Sequence, residues 1–472
     1  MRSVERFFLW LGALSLGLVV LVSVDLLETK WLIAVVVGFL LLTVAILSGR
    51  FERFLFGLFF FILPFNADIK LAFAWCPAGA QELEIAATHI ILGILCVPFI
   101  LRFFAEPHLR VFWPAGATSL VCLIVWSAFS VLNARDPRLT MILIVHFAWA
   151  FLGFFYVANH VKTEKDLWLV TRSLMAGLLV ECLIAWAQHA SGSSLGLEML
   201  GERDHLPVAW MGPEKVHRIV GTFGHPNGLG AYLTAVLPLV LAMNFSPLRV
   251  RIRLVIFGLF VLGGATLILT LNRSAWVTTA LAFLGLLGWM VFSKRGASRW
   301  IQLLVVLAAL GLMVAAFAPT ITARLIEDDR GAAISRIPLM QVAWAMVRDH
   351  HFLGVGLNNY TSVTHLYEAF LLSPLSRDYL YETRVHNAYL LLAAEAGLVA
   401  LVFLVWFLGQ VVSSAQKRIR RLPEGLIRLV LSGFLSSFAA LLLNVGAHPG
   451  YFATNTFLWI YAGIFVSKVG SE

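Results

Sequence analysis

Long apolar stretches dominate the chain and are separated mostly by short polar connections. A helix that crosses a bilayer needs about 20 mostly apolar residues. Fourteen stretches meet this description, and they lie at roughly 6–24, 31–49, 54–70, 85–104, 112–132, 140–158, 168–188, 228–243, 254–271, 274–292, 300–318, 387–410, 428–446 and 452–467. Pro64 and Asn66 interrupt the third stretch, and only a few residues separate the last two. The pattern predicts an all-α polytopic membrane protein with about 12–14 transmembrane helices.

The composition supports the same class of protein. Hydrophobic residues make up 60% of the chain and charged residues 13%, whereas soluble proteins carry about 25% charged residues. So little charge leaves too little polar surface to cover a water-exposed body. The first stretch follows Arg2 and Arg6 and has no small-residue cleavage site after it. This favours a retained membrane anchor over a cleaved signal peptide.

The basic residues indicate the orientation, because cytoplasmic loops are enriched in Lys and Arg. When the amino terminus is placed inside, the inside segments hold 20 basic and seven acidic residues. The formal net charge of +9 is then explained by topology, and nucleic-acid binding is not expected. The prediction is a multi-pass protein of a bacterial inner membrane, surrounded by membrane lipids, whose two long loops face the periplasm.

Two loops are much longer than the other connections and divide the chain into five regions. These regions are N-terminal transmembrane helices at 1–188, a periplasmic loop at 189–227, central transmembrane helices at 228–318, a large periplasmic loop at 319–386 and C-terminal transmembrane helices at 387–472. Neither long loop has the low-complexity composition of a linker.

The large loop contains its own helical signal. Arg336 and Pro338 resemble a helix start, and apolar residues then recur at helical spacing, at Ile337, Met340, Ala343, Trp344 and Val347. This pattern predicts an amphipathic helix that rests on the membrane or on the helical bundle. Gly354-Val355-Gly356 follows and predicts a helix stop and a tight turn.

His386 is the leading candidate for chemistry, because the large loop ends on it and Arg384 and Asn387 flank it. At about 100° per residue on a helix, Glu395 lies on the opposite face from His386 and is not expected to orient it. Gly397 lies close to the face of His386. We expect this glycine to let another helix approach below the histidine.

Two further segments combine polar residues with the predicted outer face. Arg273 lies in a tight connection between two apolar stretches, where a charge is costly by about 2.5–3.5 kcal/mol and is usually functional or paired. Snorkelling to the interface is the alternative explanation for this arginine. The loop that begins at Arg218 ends in a glycine-rich turn with His225, Pro226 and Asn227. Because no second histidine or acid stands at a metal-ligand spacing from His225, no metal and no cofactor are expected.

Together these segments resemble the O-antigen ligase and O-antigen polymerase superfamily over about residues 220–400. The resemblance rests on the order and sidedness of Gly221-Thr222-Phe223-Gly224-His225-Pro226-Asn227, Asn272-Arg273-Ser274, Arg336 ahead of Trp344, Gly354-Val355-Gly356-Leu357-Asn358-Asn359-Tyr360, and His386-Asn387-Ala388-Tyr389-Leu390 with Glu395 and Gly397. The family's large periplasmic loop coincides with 319–386. Its members have about twelve spans, fewer than the fourteen stretches found here.

The resemblance implies a GT-C-like glycosyltransferase that takes a polysaccharide from undecaprenyl pyrophosphate. An O-antigen ligase transfers it to the lipid A-core in lipopolysaccharide biosynthesis. By matching position, the functional histidine is His386, and the functional arginines are Arg273 and Arg336. The other candidate substrate-binding residues lie beside these groups, at Arg218, Arg384, Asn387 and Tyr389.

These residue types suit that chemistry. A prenyl pyrophosphate is already a good leaving group, so it needs positive charge more than a proton. Arginine binds phosphate through two parallel hydrogen bonds and stays charged at any relevant pH. The attacking hydroxyl needs a base, and neutral histidine is the side chain suited to this near neutral pH. We expect the positive end of the following helix to lower the pKa of His386.

Three alternatives remain open from the sequence. A polymerase of O-antigen or exopolysaccharide would use the same donor with another repeat unit as acceptor. A protein O-oligosaccharyltransferase would use a Ser or Thr. A lipid-linked sugar transporter, of another class, would favour charges near mid-membrane, where Glu181 is the best candidate and stands alone.

Overall fold

The computed structural model describes most of the chain from residue 49 onward. The described residues are 38, 43, 46, 49–74, 76, 80, 82–105, 111–212, 214–292, 297–326, 336–370, 382–448 and 450–469. The predicted stretch at 6–24 and most of that at 31–49 lie outside them. The chain divides into two compact units, residues 1–59 and 60–472. The first fully described helix, α1, spans Phe51–Phe61 and contains the boundary between these two ranges.

The stretch predicted at 54–70 is not one transmembrane helix, and this prediction is wrong. After α1 ends at Phe61, two antiparallel strands follow, β1 at Asp68–Phe73 and β2 at Glu82–Ala86. Pro64 and Asn66 stop the helix, and apolar and polar residues then alternate along both strands, which is the pattern of a β-hairpin.

The remaining elements are mostly helices. In chain order the long ones are α2 at Ala87–Ala105, α3 at Ala117–Phe129, α4 at Pro137–His160, α5 at Glu164–Ser191, α6 at Pro226–Asn244, α7 at Val250–Leu269, α8 at Arg273–Phe292, α9 at Ala297–Ala316, α10 at Ala318–Ile326, α11 at Arg336–Asp349, α13 at Ala388–Arg421, α14 at Leu426–Val445 and α15 at Thr456–Val466. A short helix, α12 at Tyr360–Val363, and a second hairpin, β3 at Val208–Met211 and β4 at Glu214–His217, lie in the two long loops.

The described residues confirm an all-α polytopic membrane protein. Eight of their helices are long and apolar enough to cross a membrane, and there are nine if α9 and α10, which meet at a 65° bend, form one span. The stretches predicted at 112–132 and 452–467 appear as shorter apolar helices at Ala117–Asn133 and Thr456–Val466.

Helix α6 lies at the centre of the second unit. Its apolar window is 83% buried, and it packs against α7, α8 and α14. Helix α15 packs on α4, and α13 packs on α3. The starts of α6 and α8 and the end of α14 thereby come together at one end of this unit.

Helix α13 is broken near that end. Gly397 has φ +84° and ψ 168°, a combination that is essentially restricted to glycine. A Cβ at this position would lie 1.8 Å from the Phe352 carbonyl oxygen. The backbone of the segment 351–356 crosses the break: Val355 N–H donates to the Ala394 carbonyl at 2.9 Å, N to O. We expected a helix to approach Gly397, but a loop backbone does so instead.

The predicted helix in the large loop is present as α11. Of the five apolar positions that predicted it, Ala343 and Val347 are buried, whereas Ile337 and Trp344 are each 56% exposed. The buried face packs on α13. The sequence contains two apolar stripes on one helix, and spacing alone does not tell which of them meets the bundle.

Candidate active site

The turn at 218–227 is held by two side chains of α5. The Glu181 carboxylate is buried and accepts the backbone N–H of Thr222, 2.6 Å from N to Oε1, as well as the Thr222 hydroxyl. Gln188 of the same helix accepts two more backbone N–H groups of this turn. Gly221 has φ +57°, and a Cβ there would lie 2.1 Å from Glu181 Oε1. The turn therefore requires glycine at this position.

A second buried carboxylate holds the turn at 354–360. Glu395 accepts the backbone N–H of Asn358 at 2.8 Å and that of Tyr360 at 3.0 Å. The Tyr451 hydroxyl oxygen lies 3.3 Å from an oxygen of the same carboxylate. As predicted from its helical position, Glu395 is not a partner of His386; instead it fixes this turn.

Helix α13 begins directly after His386. The Asn387 side chain caps it, because its Oδ1 accepts the Leu390 N–H at 3.0 Å. Tyr389 donates its hydroxyl to the Leu442 carbonyl of α14 at 2.8 Å. These two predicted substrate-binding residues therefore make contacts that place the helix start, and His386 remains the half-buried side chain at its entrance.

Arg384 connects the entrance of α13 with the turn held by Glu395. Its guanidinium lies 4.5 Å from the centre of the Tyr451 ring, a cation–π distance. Because Tyr451 also contacts Glu395 and donates to Asn358 Oδ1 at 2.9 Å, the position of Arg384 depends on that turn.

Helix α8 begins at Arg273, in the tight connection that the sequence indicated. Leu271 ahead of it has φ +54°, and Asn272 Oδ1 accepts from the Ser274 hydroxyl at 2.8 Å and from the Ala275 N–H at 3.3 Å. This capped turn places Arg273 near two other arginines. Burial and then the charges of Arg324 and Arg273 lower the pKa of Arg218 to about 10. We call Arg218, Arg273 and Arg324 the arginine group.

Arg218 and Arg324 are oriented by backbone carbonyls. Arg218 Nε donates to the Thr270 carbonyl at 2.9 Å, and Arg324 Nε donates to the Leu271 carbonyl at 3.2 Å. Both carbonyls belong to the end of α7 and the connection after it. A fixed backbone thus holds cationic side chains side by side, despite their mutual repulsion.

Three histidines and two arginines form a second cluster, which we call the histidine group: His225, His386, His448, Arg336 and Arg384. Burial, and next the charge of Arg336, lower the pKa of His386 to about 4. Burial, with His225 and His386 among the neighbours, lowers the pKa of His448 to about 3. The predicted fall in the pKa of His386 is confirmed in direction, but burial and arginine charge are its causes here.

The two groups adjoin through His225. Partial burial, and then the charges of Arg218 and Arg203, lower the pKa of His225 to about 4. Among the described residues, every charged neighbour that shifts the pKa values of the three histidines or of Arg218 is itself an arginine or a histidine. Such a surface holds three neutral imidazoles and a surplus of guanidinium charge, which suits an anionic ligand and proton transfer.

The structure therefore brings together Arg218 with Arg273 and, separately, His386 with Arg336 and Arg384. Sequence reasoning missed His448, Arg324 and Arg203. His448 lies in the short connection between the last two apolar stretches, a place that resembles an ordinary turn. Its predicted position on the same side as His386 was the only available signal.

Glu181 was the best candidate for a charge in a transport pathway. Its carboxylate accepts hydrogen bonds from the backbone N–H and the hydroxyl of Thr222, and so stabilises the turn that leads to His225. This contact gives Glu181 a structural role at the end of α5.

Among the described residues, no group of three or more His, Cys, Asp or Glu side chains is arranged to hold a metal ion. The adjacent acidic residues Asp328 and Asp329 of the large loop lie outside the described residues.

Comparison with known families matches the region that contains most of both groups. Residues 230–405 match the model of the O-antigen ligase family. This range covers Arg273, Arg324, Arg336, Arg384 and His386, while His225 and His448 lie on either side of it. No curated protein matches the chain. The match agrees with the resemblance seen in the sequence: residues 230–405 of this chain are similar to the O-antigen ligase family.

Proposed function

We propose that the protein is an O-antigen ligase that transfers polysaccharide from undecaprenyl pyrophosphate to the lipid A-core oligosaccharide. The observation that supports the proposal is the placement of half-buried His386 at the start of α13, beside Arg336 and Arg384 and next to the arginine group. A hydroxyl of the acceptor needs a base at the same place where a pyrophosphate needs positive charge. The active site would face the periplasm of a bacterial inner membrane.

In the proposed reaction, the acceptor hydroxyl oxygen attacks the anomeric carbon of the donor sugar. The bond from this carbon to the pyrophosphate oxygen breaks, and its electron pair leaves with undecaprenyl pyrophosphate. His386 takes the hydroxyl proton as the new glycosidic bond forms. Arg273 and Arg336 stabilise the charge that develops on the pyrophosphate, and no metal ion is required.

The Nδ1 atom of His386 is buried and has no hydrogen-bond partner among the described residues. An unpartnered buried ring nitrogen is unfavourable by about 1–3 kcal/mol. In the proposed reaction, the acceptor hydroxyl would supply the hydrogen bond that this ring nitrogen lacks.

Replacement of His386 by Ala tests this proposal. The variant should insert in the membrane and still bind the lipid-linked donor, because the arginines hold the pyrophosphate. Transfer should fall by about 10²–10⁴, the usual contribution of a positioned base. The measurement is transfer of polysaccharide by purified protein to lipid A-core, to a second lipid-linked repeat unit and to a Ser- or Thr-containing peptide, which also separates the three acceptor classes.

Near-normal transfer by His386→Ala would remove this residue from the mechanism. Activity of the wild type with the repeat unit alone would identify a polymerase instead of a ligase. Accumulation of lipid-linked sugar on the cytoplasmic side in cells that lack the protein would indicate a transporter.

A further inference from the structure

His225 occupies an unusual position for a histidine, because its side chain caps the buried helix α6. Its Nδ1 atom accepts the backbone N–H of Asn227, with 3.1 Å between the two nitrogens. Ser, Thr, Asp and Asn are the residues that normally make this cap. An imidazole can replace them only through a ring nitrogen that carries a lone pair.

The cap fixes the tautomer of the ring. A neutral imidazole has one nitrogen that accepts and one that donates, so acceptance at Nδ1 places the proton on Nε2. Protonation of Nδ1 would remove the cap and add a positive charge at the positive end of the helix. The positive charges of nearby Arg218 and Arg203 oppose this protonation further. His225 is thus a neutral ring that offers an N–H donor.

The turn that carries His225 is rigid and keeps the ring within the site. Thr222, three residues earlier, is bonded to Glu181, and the Phe223 ring lies 5.2 Å from the Tyr232 ring of α6, centre to centre. The His225 side chain is nevertheless exposed. An N–H donor that is fixed in place, open to a ligand and flanked by arginines suits an oxygen atom of an anion.

We propose that His225 donates its Nε2–H to a phosphate oxygen of the donor's lipid pyrophosphate. The inference rests on the proposed function and extends it: two neutral histidines of one site have opposite roles. His386 accepts the proton of the acceptor hydroxyl, and His225 gives a hydrogen bond to the leaving group without ever losing its proton.

Three substitutions separate this role from capping. His225→Thr, His225→Asp and His225→Asn all keep a side-chain oxygen that can cap α6. Asn also keeps an N–H donor, although on a shorter side chain, whereas Thr and Asp place none at the position of Nε2. Asn and Asp have nearly the same shape, so a difference in affinity between these two variants reports the combined effect of the lost donor and the added charge. Thr is neutral, so its affinity reports the lost donor alone.

The measurement is binding of undecaprenyl pyrophosphate to the purified full-length protein in detergent, beside the thermal unfolding midpoint of each variant. We expect His225→Thr to weaken binding about tenfold, the effect of one charge-assisted hydrogen bond. We expect His225→Asp to weaken it more and His225→Asn to stay within about threefold of the wild type. Unfolding midpoints should stay close to that of the wild type in all three, because all retain the cap.

Wild-type affinity in His225→Thr would overturn the inference and leave His225 as a cap only. If His225→Thr does not fold, equal affinities of the Asn and Asp variants would overturn it as well. Transfer by the wild type tests the proposed function separately. If the wild type transfers polysaccharide and His225→Thr binds the donor normally, this inference alone is overturned. If the wild type neither binds the donor nor transfers polysaccharide, the inference and the proposed function are both overturned.

Discussion

The proposed proton transfer depends on the charge that surrounds one imidazole. Burial and the charge of Arg336 lower the pKa of His386 to about 4. A base this weak takes a proton poorly at neutral pH, because the best catalytic pKa lies near the working pH. The donor pyrophosphate would bring negative charge to the same arginines. Its binding should therefore raise the pKa of His386 towards the ordinary value of about 6.5.

This reasoning predicts different pH profiles for two kinetic constants. The acid limb of kcat/KM reports the free enzyme and should have its midpoint well below pH 6, because His386 stays neutral there until low pH. The acid limb of kcat reports the bound enzyme and should have a midpoint at higher pH. Steady-state transfer rates between pH 4 and 8 test this. Coincident midpoints would show that the donor does not change the charge around His386.

The two predicted pyrophosphate ligands can be tested by keeping their charge and changing their shape. Arg273→Lys and Arg336→Lys retain a cation but lose the planar group that binds two phosphate oxygens. Each should reduce transfer on the order of 10²-fold, as for removal of one preorganised donor. Arg420→Lys is the matched control, since Arg420 is exposed at the far end of α13.

Unchanged donor affinity and transfer rate in both Arg→Lys variants would mean that these arginines are snorkelling anchors. An equal loss in Arg420→Lys would point to a general effect on folding or insertion.

The types of residue in the site were predictable from the sequence, but some of the individual residues were not. Arg273 and His386 stand where an apolar stretch meets a predicted outer loop, and such positions make a polar residue conspicuous. His448 and Arg203 lie in loops where polar residues are ordinary. Their place beside His225 depends on the packing of α6 against α14 and on the turn around Gly224, which no local pattern encodes.

At the scale of elements, two glycine-rich turns are each fixed by a buried glutamate of a neighbouring helix. Glu181 of α5 holds the turn before α6, and Glu395 of α13 holds the turn at 354–360. Glu181 accepts one backbone N–H and a hydroxyl, and Glu395 accepts two backbone N–H groups beside the Tyr451 hydroxyl, which makes burial of these polar groups tolerable. These two turns position His225 and, through Tyr451, Arg384.

The break in α13 gives a prediction at this scale. Gly397→Ala forces a strained φ and sets a Cβ 1.8 Å from the Phe352 carbonyl oxygen, so the segment 351–356 must move away. We expect a loss of at least about 1–3 kcal/mol from the backbone strain alone. The fall should appear as a lower thermal unfolding midpoint in detergent and as lost transfer.

Gly409→Ala on the same helix is the control, because a Cβ there meets nothing within 4 Å. Alanine is the better helix former by about 1 kcal/mol, so this variant should be neutral or more stable. Equal midpoints for Gly397→Ala and the wild type would show that the break tolerates a side chain.

Hydropathy located most helices, because the signal of a transmembrane helix is an average of hydrophobicity over about 20 residues. It failed at 54–70. This segment is apolar enough for a membrane span, but apolar and polar residues alternate after Asn66, and this alternation favours strands. It also does not tell which apolar side chains of α11 are buried, since Leu339 is buried and the similarly apolar Ile337 is exposed. Both points concern which neighbour an apolar residue meets, and this is decided by tertiary packing.

At the scale of the whole molecule, the two long loops meet at one end of the second unit. His225 follows the first loop and His386 ends the second, and each lowers the pKa of His448. Helix ends from α6, α8, α11, α13 and α14 converge there. The positive-inside pattern predicts that both loops lie on one side of the membrane, because the other side holds the basic excess.

This sidedness gives the last prediction. Cys76, Cys96, Cys122 and Cys182 would first be replaced by Ala, since a reporter needs a cysteine-free background. Leu366 lies in the large loop and is 66% exposed, whereas Val250 begins α7 on the opposite side and is 60% exposed. Leu366→Cys should react with a membrane-impermeant maleimide in cells whose outer membrane alone is permeable, and Val250→Cys should react only after lysis. The reverse pattern would place the histidine group in the cytoplasm, where a periplasmic lipid A-core acceptor could not reach it, and would overturn both the orientation and the proposed reaction.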